Sequence, residues 1–398
     1  MKRGGLFCAC AIAIAFALTP STLAEANVKV SPYTIPLKVE KTNTVYNASG
    51  KKIGTLAKGK KVKLINHTKK QGVIRFQAKQ GYVNLKNYKH YRVVDGSKAI
   101  SYEQYRYYVE VLALLYPEAV TLKKIGKSAD GRSIYAYRLG TGKKEVYIDA
   151  STHAREHMTT NVVMAMIDTY TKGYINKKKL AQYDVEKLLS DVSIWFVPMV
   201  NPDGVMLVQQ GLRSVSAEKR AKVLAYNGNS KNFARYKANI RGVDLNRNYN
   251  VAWKQTSTTP RARSYQFYKG PNAVSEPETK AMVKFMKAHN FKTYIAYHSS
   301  GEILYWKYKQ NTTQLAQHRP LVMQFQQVTG YRPDNATGAV SGSGAGQDWF
   351  VSMTGKPGIT IEIAPYAGNQ PVPNSQWSNI WKKNKYVGLL VAKEAAAR

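Results

Sequence analysis

Apolar and polar positions along this 398-residue chain change their period twice. Residues 6–18 form one apolar run, too short to cross a bilayer. Residues 30–93 alternate in short bursts divided by turn signals, and the remainder mixes apolar strand-like runs with helical stripes. In the middle stretch, 44–46, 61–65, 73–76 and 81–83 read as strands, with the turn-prone 47–50 among them. Helical periodicity is weak there and aspartate is absent, so the pattern predicts a small all-β unit of about five strands. From Ser101 the pattern changes. Ser101 and Gln104 form a capping box ahead of the stripe Tyr105, Tyr108, Val109 and Leu112. Strand-like runs at 146–148, 192–200, 294–297 and 359–363 then alternate with helical stretches at 162–170, 281–286 (with a Ser275 and Glu278 box) and 376–396. Such alternation predicts α/β architecture with a mainly parallel sheet.

Composition allows one large core plus a small domain, since 44% of the residues are hydrophobic and 11% aromatic. Lys2 and Arg3 precede the first apolar run, and small residues follow it, with Ala24 or Ala26 as cleavage points. Residues 1–26 therefore read as a secretory signal peptide. Both cysteines, Cys8 and Cys10, lie inside it, so the exported chain is expected to carry neither thiol nor disulfide and no transmembrane segment. The formal charge is +36, falling to about +35 without the leader, far more than solubility requires. An anionic partner fits that excess. Export and the lack of a basic groove with interleaved aromatics argue against nucleic acid, leaving an anionic cell-envelope polymer, lipid headgroups, or a high-pI surface without a specific partner.

In parallel α/β sheets the binding crevice lies beyond the carboxyl ends of the strands. Those ends supply His153 and Glu156, then 201–204, then His298, with Glu362 inside the last run. An imidazole and a carboxylate three positions apart can close on one cation from the same side, half of a two-histidine, one-glutamate zinc site. HAREH also contains the inverted H-x-x-E-H motif, in which His153 and His157 would hold the metal and Glu156 act as base. The turn-prone STHA before it argues against the continuous helix this requires. In ITIEI the isoleucines share one face while Thr360 and Glu362 share the other. A glutamate there needs a polar cleft, a cation or a buried salt bridge.

HAREH, NPDG, GVDLNRNYN, YHSSG and ITIEI occur in the order and approximate spacing of the zinc carboxypeptidases, and the chain resembles that family over roughly residues 100–395. The resemblance implies a mainly parallel mixed sheet flanked by helices across 99–398. It also implies one Zn2+ held by His153, Glu156 and His298, with water in the fourth position. Asp244 is similar to the carboxylate that accepts a hydrogen bond from His153 and fixes its tautomer. Glu362 matches the general base, and Asn246 with Arg247 match the pair that grips a substrate carboxylate. Lys237 stands where some members carry the arginine that steadies the oxyanion, with Arg235 and Arg241 as nearby competitors. Where peptide-cleaving members have a mobile tyrosine, this chain has Val340 and Ser341, with Tyr331 and Tyr366 close by in sequence.

The segments IGTLAKGKKVKLI and GYVNLKNY resemble bacterial SH3-like domains, so 27–95 is expected to be an SH3-like barrel that targets the cell wall, joined through a linker at 94–99. An activation propeptide or a lid are the other readings of that segment. The resulting expectation is a secreted or wall-associated zinc metallopeptidase that hydrolyses an amide next to a carboxylate. The favoured substrate is peptidoglycan stem peptide, at the γ-D-glutamyl-diamino acid bond. Trimming of ordinary peptides from their C-termini is the alternative within enzymes, and a non-catalytic wall-binding protein is the alternative outside them.

Overall fold

A computed structural model describes residues 28–256, 260–335 and 343–398. The expected leader, with Cys8 and Cys10, and the pair Val340 and Ser341 lie outside the described residues. The N-terminal unit is a sheet of seven strands rather than five, in spatial order Lys52–Leu56, Asn43–Tyr46, Lys79–Val83, Gly72–Phe76, Lys61–His67, Ile35–Val39 and Tyr88–His90. All of its pairings are antiparallel. Two of the unforeseen strands have physical reasons to be obscure. Pro36 speaks against a strand, yet Ile35, Leu37 and Val39 are buried and the Pro36 carbonyl still accepts Tyr91 N–H. Lys52–Leu56 buries only Leu56, and Gly54 lets the Phe76 ring come within 2.6 Å of where a Cβ would stand.

The segment 94–99 is not a free linker. Val93 and Val94 are buried, the Asn161 side-chain amide donates to the carbonyls of Gly96 and Lys98 at 2.8 Å each, and Gly96 lies flat against the Trp377 indole. One apolar cluster runs without a break from Leu37, Leu64 and Leu85 into Tyr107, Leu112 and Val162. Beside it, buried His90 bridges the Tyr116 hydroxyl (2.6 Å) and Asp168 (2.9 Å). The small sheet is therefore cemented to the larger unit through polar groups that have no water to exchange with.

The larger unit is built on eight strands in the order Arg332–Pro333, Ile303–Tyr305, Gly358–Ile363, Tyr294–Ser299, Lys144–Ala150, Val192–Val197, Ser133–Leu139 and Val120–Lys127. The central four are parallel and the flanks bring in antiparallel pairs, which is the mixed sheet that the alternation predicts. One face carries Ile295, Tyr297, Ile359, Ile361 and Ile363 into the main core. The other carries Tyr147, Trp195, Tyr294 and Ala296 into a second one.

Three local expectations change. Ser101 caps Tyr102–Leu115 through Gln104 N–H, but the Gln104 amide turns to the Tyr108 hydroxyl, so the box is half made. The helix Pro277–Lys287 starts on Glu276 without a side-chain cap. Glu278 is buried instead and accepts Ala129 N–H at 2.9 Å. The last helix breaks into Trp377–Asn384 and Val387–Ala397, because the Tyr170 hydroxyl inserts between them, donating to the Lys385 carbonyl and accepting from Gly388 N–H.

Candidate active site

Strand Lys144–Ala150 ends on Ser151 with φ +51°, and the chain turns through Thr152 and His153 into one 3-10 turn, Ala154–Glu156, before helix Met158–Ile175 begins. This turn, rather than a continuous helix, aims His153 and Glu156 at the same point. His298 arrives there from the end of the neighbouring parallel strand, 142 positions beyond Glu156. His153 Nδ1 lies 2.8 Å from Glu156 Oε1, His298 Nδ1 lies 2.9 Å from Glu156 Oε2, and the two Nδ1 atoms are 3.1 Å apart. All three side chains are buried.

These contacts fit a metal. Asp244 Oδ1 is 3.1 Å from His153 Nε2 and, as a carboxylate, can only accept, so Nε2 carries the imidazole proton. When the ring is neutral, His153 Nδ1 therefore turns a lone pair toward a carboxylate oxygen and a second ring nitrogen. Three electron-pair donors crowded together need a cation between them, and two imidazoles with one carboxylate are a zinc donor set. His157, the partner required by the inverted motif, is buried elsewhere. Its Nδ1 has no hydrogen-bond partner among the described residues, burial pulls its pKa down to about 4, and it does not join the cluster.

Charge around the cluster is arranged in tiers. Burial opposes ionisation of Glu156, but His153 and His298 hold it well below the usual carboxylate range. Burial likewise opposes ionisation of Asp244, which Lys237, His153 and Arg247 keep low. Its Oδ2 faces Lys237 Nζ and Arg247 Nε, each at 3.8 Å. Glu362 is paired in register with His298, so its side chain rises beside the cluster. Burial, and then the Glu156 charge, push its carboxyl up to about 7, with His298, Lys237 and Arg155 pulling the other way.

Among the three basic candidates, Lys237 is the one that faces Asp244. Arg235 lies over the Tyr265 ring, with its centre 4.6 Å away, and Arg241 reaches out to Glu276. Lys237 and Arg247 both sit over the Phe267 ring, at 4.9 and 4.8 Å, which holds two cations side by side. Asn246 Oδ1 accepts Gly346 N–H at 3.0 Å, anchoring the 3-10 turn Leu245–Arg247 to the start of helix Gly346–Thr354. Tyr331 does not reach the site. It is fully buried on the opposite face and accepts from the Asn384 amide. Tyr366 is 78% exposed.

The zinc carboxypeptidase family profile matches residues 105–387. The chain belongs to that family. It is a zinc metallopeptidase, and zinc is its cofactor. It is 30% identical over 294 residues to Gamma-D-glutamyl-L-diamino acid endopeptidase 1 of Lysinibacillus sphaericus, covering 74% of this chain and 72% of the relative. To bovine carboxypeptidase A1 it is 25% identical over 278 residues, covering 64% and 60%. Its fold matches that of thrombin activatable fibrinolysis inhibitor with a TM-score of 0.61 at 19% identity, over 76% of this chain and 78% of the other.

Sequence reasoning missed what lies beneath and beside the metal cluster. Asp149, on strand Lys144–Ala150, is buried under it, receives the hydroxyls of Tyr147 (2.7 Å) and Tyr294 (2.8 Å), and is pushed up to about 6 by burial. An aspartate inside an apolar strand was the available signal. Tyr305 was missed as well, because its nearness to Glu362 depends on strand pairing.

Proposed function

We propose that this protein is exported and cleaves the amide between a γ-D-glutamyl residue and a diamino acid in peptidoglycan stem peptides. The observation that carries this reading is the 30% identity, across most of both chains, to the Lysinibacillus endopeptidase named for that bond. The charge of +36 supports residence among anionic envelope polymers. The N-terminal sheet is the part we assign to wall attachment.

In this reading His153, Glu156 and His298 hold zinc. Bound there, zinc would supply a Lewis acid and an acidified water. Glu362, beside His298, is placed to act as general base and to pass a proton to the leaving amine. Lys237 faces the charge that builds on the carbonyl oxygen. Asn246 and Arg247 hold the carboxylate of the leaving residue, and Asp244 keeps the His153 tautomer fixed. The deciding experiment offers the purified protein stem peptides carrying a γ-D-glutamyl-diamino acid bond, and N-blocked ordinary dipeptides with a free C-terminus. Turnover confined to the dipeptides would replace this reading with C-terminal trimming.

A further inference from the structure

The register of the sheet carries the site beyond Glu362. Glu362 pairs with His298 on one side and with Ile303 on the other, and Ile303 pairs with Arg332. His298, Glu362, Ile303 and Arg332 thus form one row across three strand boundaries. In the next row on the same face, Thr360 pairs with Tyr305, and Asp334 falls beside Tyr305, its N–H donating to the Leu304 carbonyl at 2.8 Å. The intervening Leu304 and Ile361 point the other way and are buried in the main core. On the catalytic face, by contrast, Ile303 and Tyr305 are only partly buried and Arg332 is exposed. The Tyr305 hydroxyl makes no hydrogen bond among the described residues. Burial raises its pKa, and the charges of Glu362 and Asp334 add to this while Arg332 opposes it.

A substrate bound over Glu362 has its scissile carbonyl on the metal side. The side chain of the leaving residue, turned from the metal, must run along the other side, over Ile303 and Tyr305. Arg332 stands two strand spacings from Glu362, about 10 Å between backbones. A diamino acid whose far carbon bears both an ammonium and a carboxylate spans four carbon–carbon bonds, about 5 Å extended, and the arginine side chain covers the rest. We propose that Arg332 and Asp334, which share the catalytic face with Tyr305 at the sheet edge, form the subsite for that far end, with Asp334 taking the ammonium and Arg332 the carboxylate. This rests on the diamino acid reading above and names what selects the substrate within it.

Three γ-D-glutamyl peptides test it, with diaminopimelate (ammonium and carboxylate), lysine (ammonium alone) or norleucine (neither) as the leaving residue. Wild-type kcat/KM should fall in that order. Arg332→Gln should lower the diaminopimelate-to-lysine ratio roughly ten- to hundredfold, and Asp334→Asn the lysine-to-norleucine ratio by a similar factor. Arg332→Lys should restore part of the first. Each ratio compares two substrates on one preparation, so loss of folded protein cancels. Equal wild-type turnover of all three peptides, or ratios unmoved by the substitutions, overturns the subsite while leaving the proposed bond intact. A wild-type protein that cleaves none of them but trims ordinary dipeptides removes the substrate reading and the subsite together.

Discussion

Replacing Glu362 with glutamine separates two effects that share one carboxylate. In the metal-free chain the Glu362 carboxyl is raised from 4.5 to about 7 by burial and by Glu156. That difference corresponds to roughly 3 kcal/mol against the ionised form, reduced to roughly 1–2 kcal/mol because the side chain keeps some access to solvent. Its folded pKa lies above its unfolded one. The stability is therefore full below about pH 4.5 and is lost as pH rises through about 7. Glu362→Gln cannot ionise, so in urea titrations the metal-free variant should be more stable than wild type at pH 8 by roughly 1–2 kcal/mol and equal to it near pH 4. The zinc-loaded variant should lose about 10²–10⁴-fold in kcat, roughly 3–5 kcal/mol, while metal analysis still finds one zinc per chain. Retention of activity within tenfold, or a loss that tracks missing zinc, would refute the assignment of Glu362 as base.

Asp244→Asn should weaken zinc binding about 10–100-fold in competition with a chelator, because His153 loses the acceptor that fixes its tautomer; unchanged affinity would leave Asp244 without that role. His157→Asn should still bind one zinc per chain by metal analysis, and loss of the ion would revive the inverted motif. Glu278 is pushed up to about 7 by burial and by the Asp203 charge, so its share of stability is present below about pH 4.5 and disappears as pH rises through 7. Glu278→Gln should therefore flatten the fall in urea midpoint between pH 5 and pH 8, and an unchanged slope would count against a raised Glu278.

The metal ligands were legible through the joint resemblance of short motifs at strand ends, since position at a strand end alone left His298 open to an ordinary hydrogen-bonded role. Alternating isoleucines likewise assigned Glu362 to the face opposite the core before any fold was known. Lys237 could not be separated from Arg235 and Arg241 in the sequence, since all three lie within a few positions. What separates them is Asp244, toward which, of the three, only Lys237 turns, and the Phe267 ring, brought alongside by a later stretch of chain. The same limit explains the capping box assigned to Glu278, which local chemistry favours but Ala129, 149 positions away, overrides. It also explains the expected linker, whose carbonyls are taken up by Asn161 and whose Gly96 packs against the Trp377 ring.

The sequence by itself determined the α/β alternation and the excess of positive charge, because period and composition are written along the chain, and its motifs, through their family resemblance, pointed to His153, Glu156 and His298 as the metal ligands. Tertiary structure alone decided that the small sheet is docked, that Tyr331 faces away, and that Arg332, Asp334 and Tyr305 share a face with Glu362. Those relations depend on which strands pair and in what register, a choice set by the burial of whole faces rather than by any one segment.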